Sequence, residues 1–170
     1  MPKLSMFNSI SLDGYFTDAK NDMSWAHQRA QDPEWDDFVK GNASGKGRLL
    51  FGRVTYQMME AFWPNQGIQM MPEVAKGMTA SPKVVFSRTL DKVTWENTVL
   101  LKGDLVEEVK KLKSAPGPDM VILGSGSIVA QLAKENLIDQ YQIVISPIAL
   151  GAGRTLFEGL KKNLGLKLVK

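Results

Sequence analysis

The sequence predicts an α/β fold with a largely parallel sheet and helices on both of its faces. Three observations carry this. Short apolar runs alternate with amphipathic helical stretches along most of the 170 residues. Runs such as Leu49-Leu50-Phe51 and Met120-Val121-Ile122-Leu123 are continuously apolar, as strands covered on both faces are. Two of these runs pass through a glycine, Gly52 and Gly124, directly into a helical stretch. The length and the lack of a linker-like or repeated segment predict a single domain over residues 1–170.

The elements follow in order. Residues 3–11 alternate, with Leu4, Met6 and Ile10 on one side and serines on the other, and read as a strand. Asp13-Gly14 and Asn21-Asp22 are turn signals. Asp32-Pro33-Glu34 reads as N-cap, first helical position and first-turn acid, with Trp35, Phe38 and Val39 as the buried face of the helix that follows. A strand over 49–51 leads into a helix over 53–62, which Trp63-Pro64 should stop. A Met-, Gly- and Pro-rich loop with a short helix at 72–78 precedes strands at 83–86 and 99–101. Asp104 caps a helix over 105–113 whose apolar face is Leu105, Val106, Val109 and Leu112, with Glu107 and Lys111 paired. A strand over 120–123, a helix over 128–135, a strand over 141–146 and a weak strand over 164–169 complete the chain.

Composition excludes several classes. The 44% apolar and 23% charged content is that of a globular protein, not of a disordered chain or a rod. With no cysteine and a single histidine, His27, neither disulfides, thiolate zinc, iron–sulfur clusters nor a cysteine nucleophile is available, and no metal site is expected. The net charge of +3 is mild and its lysines and arginines are scattered, so no nucleic-acid partner is expected. No stretch approaches the ~20 apolar residues of a membrane span, and no leader-like segment is visible, which fits a cytoplasmic protein.

The residues that carry chemistry sit just after strands, where ligands bind in such folds. Gly124-Ser125-Gly126-Ser127-Ile128 opens a helix from a buried strand. Such a turn lets backbone approach a ligand, and free helical N–H groups favour a pyrophosphate; a tight turn without a ligand is the alternative. Gly52, Arg53 and Thr55 form a second strand-to-helix turn that offers a guanidinium, a hydroxyl and free N–H groups to a phosphate, or an ordinary cap with a surface arginine. Ser87 and Arg88 follow a third strand. Asp13 reads either as an active-site carboxylate or as an Asx-turn residue beside Gly14. His27 reads as an exposed residue or as a general acid, and the methionines at 58, 59, 70, 71 and 78 as core filling or as an adaptable wall over a ligand.

Taken together, SLDGY, LLFGRVTY followed by FWP, VVFSR, VILGSGSIV and ISPIALGAGRTLF resemble the dihydrofolate-reductase-like family that includes the riboflavin-biosynthesis reductase domain, in family order from about residue 3 to 160. The resemblance implies a three-layer α/β/α fold around a mixed, mostly parallel sheet and an NADPH-dependent reductase of a small heterocyclic or other conjugated substrate. A nucleotide-binding protein of the same fold without reductase activity is the alternative.

The resemblance also assigns residues. The turn Gly124, Ser125, Gly126, Ser127 and Ile128 would hold the cofactor pyrophosphate, and Gly52, Arg53 and Thr55 would also meet its phosphates. Ser87 and Arg88 would lie at the adenosine end, where an arginine suits a 2′-phosphate. Asp13, Gly14 and Tyr15 would lie by the nicotinamide and substrate, and Trp63 near the substrate cavity. For the acid, the candidates are Asp13 and, on the first helix, Glu34. A homodimer is implied. Ile148 stands where riboflavin-pathway reductases typically carry a lysine after the late-loop proline, which counts against their substrate; Arg154 could bind an anion instead or serve as a surface residue. The family usually adds one more strand after the one matching Leu164 to Val169.

Overall fold

The strand β1, Leu4–Ser11, forms as its alternation requires, with Leu4 and Met6 fully buried. The structure, a computed structural model, describes residues 1–27, 32–43 and 46–170. The His27 side chain, and with it the question of its role, lies outside what is described; its backbone ends the short 3-10 turn Ser24–His27.

Five more strands follow: β2 (Arg48–Gly52), β3 (Lys83–Phe86), β4 (Thr98–Leu101), β5 (Met120–Leu123) and β6 (Gln140–Ser146). They form a sheet in the order β4-β3-β2-β5-β1-β6. Every ladder is parallel, from Leu4 opposite Met120 on one side of β1 to Ser11 opposite Ser146 on the other. The expected α/β layering is present, but the sheet of the described residues is all-parallel rather than mixed. The predicted strand over 164–169 is not formed: residues 161–170 are irregular, and Leu168 is 89% exposed. Alternation of leucine with small or basic residues is not sufficient where no neighbouring strand pairs with it.

The helices cover both faces. The helix α1, Pro33–Asn42, starts as predicted, with the Asp32 carboxylate accepting from the backbone N–H groups of Glu34 and Trp35. Its Phe38 ring meets Phe7 of β1 at 5.9 Å and Trp35 at 5.5 Å. On the same face lie α2 (Arg53–Phe62) and α4 (Pro72–Ala80), whose Tyr56, Val74 and Met78 pack with Leu49, Phe51, Val85 and Trp95. The other face carries α5 (Leu105–Ser114) and α6 (Gly126–Lys134). Val109, Ile128, Val129 and Leu132 there pack with Leu4, Met6, Leu50 and Ile122.

Three local expectations are corrected. Pro64 does not stop α2: the chain continues through a π turn, Trp63–Gly67, and the single turn α3, Ile68–Met70, before breaking at Met71. The Asn65 side chain donates to the Ala61 carbonyl at 2.8 Å, and Gly67 lies under the Trp63 ring, where a Cβ would sit 2.6 Å from Cε3. Packing thus overrides the proline signal. On α5 the ion pairs run Glu107–Lys110 and Glu108–Lys111, one residue shorter than the predicted Glu107–Lys111. Finally, α6 begins at Gly126 rather than at 128.

Candidate functional site

Because every strand is parallel, all six carboxyl ends lie on one side of the molecule. Across that side the chain presents, in sheet order, Leu101, Phe86, Gly52, Leu123, Ser11 and Ser146. Between β2 and β5 the connections part: α2 leaves onto one face and α6 onto the other. A crevice outside the strand ends at such a divergence is where open α/β sheets bind ligands.

The two turns at this divergence are tied to each other. The Gly52 N–H donates to the Ser125 hydroxyl at 3.0 Å, and the Ser125 N–H donates to the Thr55 hydroxyl at 3.2 Å. Gly124 has φ +62° and its carbonyl accepts from the Asn8 side chain at 2.8 Å. Ser125 itself has φ +37°, a left-handed conformation that costs energy in a residue with a Cβ. The N–H groups of Ile128 and Val129 both turn back to the Ser125 carbonyl.

Neither helix at the divergence carries a side-chain cap, whereas α1 and α5 are capped by Asp32 and Asp104. The first N–H groups of α2 and α6 therefore face the crevice end without an anionic side chain of their own. Arg53 is exposed at the first position of α2, its guanidinium donating to Gln57 at 3.3 Å. Ser127 is exposed on the first turn of α6, while Thr55, Ser125 and Ile128 are buried.

The third turn stands one strand further out. The Ser87 hydroxyl accepts from the N–H groups of Thr89 and Leu90, and the Ser87 N–H donates to the Leu101 carbonyl. Arg88 beside it is exposed and, among the described residues, makes no ion pair. Gly52, Arg53, Thr55, Gly124, Ser125, Ser127, Ser87 and Arg88 thus follow the carboxyl ends of three strands, β2, β5 and β3, on one side of the molecule.

At Gly126 the glycine admits a neighbouring side chain. Its close-approach space is already taken by a protein group: a Cβ there would lie 2.2 Å from the tip of the Phe16 ring. Phe16 is itself buried, so this glycine admits an aromatic ring rather than open space.

Asp13 does not form the Asx turn expected beside Gly14, since the Tyr15 N–H goes to Ser11 instead. Its carboxylate accepts from the Ser11 hydroxyl at 2.6 Å, from Leu150 N–H at 3.0 Å and from Gly151 N–H at 2.7 Å. These bonds, the Ser11 hydroxyl first, hold the carboxyl down to about 2. It ties two loops that are remote in sequence. Gly14 and Tyr15 complete the turn, with Tyr15 N–H donating to the Ser11 hydroxyl at 2.9 Å.

The other two candidates lie on or beyond the helices of one face. Glu34 is exposed on the first turn of α1, with no described hydrogen bond to the glycine turns. Trp63 follows the ten-residue α2, which starts at Arg53. At ~1.5 Å per residue it therefore stands about 15 Å down that helix from Gly52. Its indole N–H meets Met59 Sδ, and its ring packs in the core on that face. The methionines divide likewise: Met78, Met59 and Met71 fill core, whereas Met58 and Met70 are exposed.

Two residues of the site escaped the sequence reading. Asn8 is 2% exposed and supports Gly124. Its signal was present, since it falls on the Leu4, Met6, Ile10 side of β1, where a polar side chain must find a buried partner. Phe16 had no local signal; its partner Gly126 is remote in sequence. Among the described residues no group of three His, Cys, Asp or Glu could hold a metal, and no helix is long and apolar enough to cross a membrane.

Comparison with known proteins agrees with this architecture. The model of the family described as the RibD C-terminal domain matches residues 2–170. The uncharacterized protein YyaP of Bacillus subtilis (strain 168) is 27% identical over 164 residues, covering 95% of this chain and 83% of its own. A crystal structure of a Shewanella sp. PV-4 protein, named for riboflavin biosynthesis, superposes with a TM-score of 0.71 at 26% identity, over 99% of this chain and 90% of that one. The riboflavin biosynthesis reductase of Saccharomyces cerevisiae shares the fold at a TM-score of 0.55 and 12% identity, over 98% and 82% of the two chains.

Proposed function

We propose, since the chain belongs to the RibD C-terminal domain family, that it is an NADPH-dependent reductase of a small heterocyclic or otherwise conjugated substrate. The observation that carries this reading is the tied pair of turns at the divergence of α2 and α6. Two uncapped helix starts on adjacent strands, with an exposed arginine beside them, suit a pyrophosphate. NADPH would supply the hydride.

The residues divide the work. Gly124, Ser125, Ser127 and Ile128 on one side, and Gly52, Arg53 and Thr55 on the other, would hold the phosphates. The Ser125–Gly52 and Thr55–Ser125 bonds fix the separation of the two turns before any ligand arrives, which lowers the ordering cost of binding. Ser87 and Arg88 would meet the adenosine end, the arginine taking the 2′-phosphate that distinguishes NADPH from NADH. The loop Asp13, Gly14 and Tyr15 would border the nicotinamide and substrate. With Asp13 held as a carboxylate, this reading takes the reaction's proton from solvent. Glu34 and Trp63 are assigned no step. The single domain, the homodimer and a cytoplasmic setting belong to the same proposal.

Titration of the protein with NADPH and NADH by calorimetry tests it. NADPH should bind at least ~10-fold tighter, a difference of ~1.4 kcal/mol. Arg88→Ala should remove that preference while leaving NADH affinity unchanged. Equal loss for both nucleotides sinks the adenosine-end assignment, and no binding of either sinks the reductase reading. A nucleotide-binding protein without catalysis is the second reading, favoured by the engagement of the Asp13 carboxylate with Ser11, Leu150 and Gly151. NADPH oxidation with dihydrofolate or a generic acceptor separates the two.

A further inference from the structure

Two loops cross the strand ends beside the glycine turns, and they are zipped together. Residues 11–18 leave β1, and residues 146–154 leave β6, its neighbour in the sheet. Leu12 N–H donates to the Ile148 carbonyl at 2.7 Å, and Phe16 N–H to the Arg154 carbonyl at 2.9 Å. Arg154 N–H returns to the Thr17 carbonyl at 3.3 Å, which makes Thr17 and Arg154 an antiparallel bridge. Gly153 permits this approach: with φ +150°, it lies where a Cβ would be 1.9 Å from the Thr17 carbonyl oxygen. At the outer end Asp13 accepts from two successive N–H groups of the second loop and from Ser11. Phe16, on the inner side, presses into the glycine notch at the start of α6, with the Arg154 guanidinium 5.5 Å from the centre of its ring.

We infer that these loops form one flap in which Asp13 is a positioning residue. Its carboxylate bolts the outer end, and the Phe16 ring seats the inner end against Gly126, so that the substrate side and the β5–α6 turn keep one fixed geometry. The carboxylate is suited to this. A charged acceptor with both oxygens engaged by adjacent backbone N–H groups fixes direction as well as distance. Asparagine keeps one acceptor oxygen and presents an NH₂ to the other N–H. Alanine keeps none. The wedge is equally specific, because any side chain at 126 needs the volume that the Phe16 ring occupies. Asp13 therefore acts through the flap and not on the reacting atoms.

The inference rests on the reductase reading for its effect on turnover, but its structural core is tested without cofactor. Amide hydrogen exchange is measured on the wild type, Asp13→Asn, Asp13→Ala and Gly126→Ala. Leu150 and Gly151 should exchange at least 10-fold faster in Asp13→Ala, and to an intermediate degree in Asp13→Asn. Gly126→Ala should also loosen these two amides, although it touches neither. Unchanged exchange at Leu150 and Gly151 in Asp13→Ala overturns the bolt. Loosening in Asp13→Ala with none in Gly126→Ala overturns the single flap. A Phe16→Leu variant, which keeps an apolar side chain but no ring, gives the same readout if Gly126→Ala does not fold.

Steady-state kinetics form the second arm. Asp13→Ala should lower kcat/KM for the acceptor at least 10-fold and weaken NADPH binding by a smaller factor, through the β5–α6 turn, with Asp13→Asn between it and the wild type in both. An unchanged kcat/KM in Asp13→Ala overturns the positioning role. If the wild type binds no NADPH, the reductase reading falls, while the exchange data still decide the flap.

Discussion

Lys83 shows how one residue can be dictated by its surroundings rather than by local pattern. It opens β3 and is 1% exposed, yet it carries an ammonium. Its Nζ donates to the carbonyls of Met78, Thr79 and Ser81 at 2.7–2.9 Å, at the end of α4, and lies 4.4 Å from the centre of a Trp95 ring. A cation is favoured at a helix C-terminus, where carbonyls lack partners. Lys83→Met keeps the length and removes all three donors. It should cost about 2–4 kcal/mol in urea denaturation, as expected when buried acceptors lose a charged donor; a cost below about 1 kcal/mol would mean that water replaces the lysine. Burial pushes the Lys83 ammonium down to about 8, with Glu96 pulling the other way. Between that value and the ordinary 10.5 the unfolded chain binds the extra proton, so this residue's contribution makes stability rise with pH across that window and is flat below it. The difference in urea midpoint between wild type and Lys83→Met should therefore change from pH 8 to pH 10 in favour of the wild type. An unchanged difference would mean that the three carbonyls and the indole hold the lysine charged throughout. The sequence offered only a lysine at a strand start, and nothing in it names three carbonyls as partners.

At the level of elements, the question is why two turns remote in sequence behave as one. Thr55 and Ser125 are both buried, and each satisfies a group of the other's turn: Ser125 N–H bonds Thr55, and Gly52 N–H bonds Ser125. Thr55→Val removes the acceptor at nearly constant volume and should destabilise by about 1–3 kcal/mol, the cost of an unpaired buried donor. Ser125→Ala should cost a similar amount. Because the residues touch, the double variant should show a coupling of about 0.5–3 kcal/mol in a double-mutant cycle. Strict additivity would mean that the turns are held apart by their helices alone. Legibility divides along the same line. Elements set by local chemistry were readable: the Asp32 and Asp104 caps, the strand-to-glycine-to-helix turns and the alternation of β1. Those set by distant packing were not. Pro64 signalled a stop, but Trp63 over Gly67 carries the chain onward, and Leu164 to Val169 signalled a strand without a partner to pair with. Gly126 was readable as a close approach, but its occupant, Phe16, was not.

For the whole molecule, the order β4-β3-β2-β5-β1-β6 explains why the candidate site is where it is. Alternation of apolar strands with helices announced the layers and parallel strands, but not which strands would be neighbours. The return from β4 to β5, inserted between β2 and β1, creates the divergence of α2 and α6, and it is decided only when β5 pairs on both sides. The molecule consequently has a carboxyl end, with the candidate site, and an amino end. At the former lie the turns at Gly52, Ser87 and Gly124; at the latter lie Trp95, the Lys83 cluster and the Asp139 carboxylate, which accepts from Leu4 N–H and Lys113. A ligand that binds only the folded state stabilises it by about 2.7 kcal/mol at 100 times its dissociation constant. That stabilisation should not be uniform in local exchange. Saturating NADPH should slow amide exchange at 52–55, 87–90 and 124–128 beyond the global effect. Amides around Trp95 and Asp139 should slow only by the global amount. Protection concentrated instead at the Trp95 end would move the nucleotide to the opposite side of the sheet and dissolve the link between this topology and the proposed reductase.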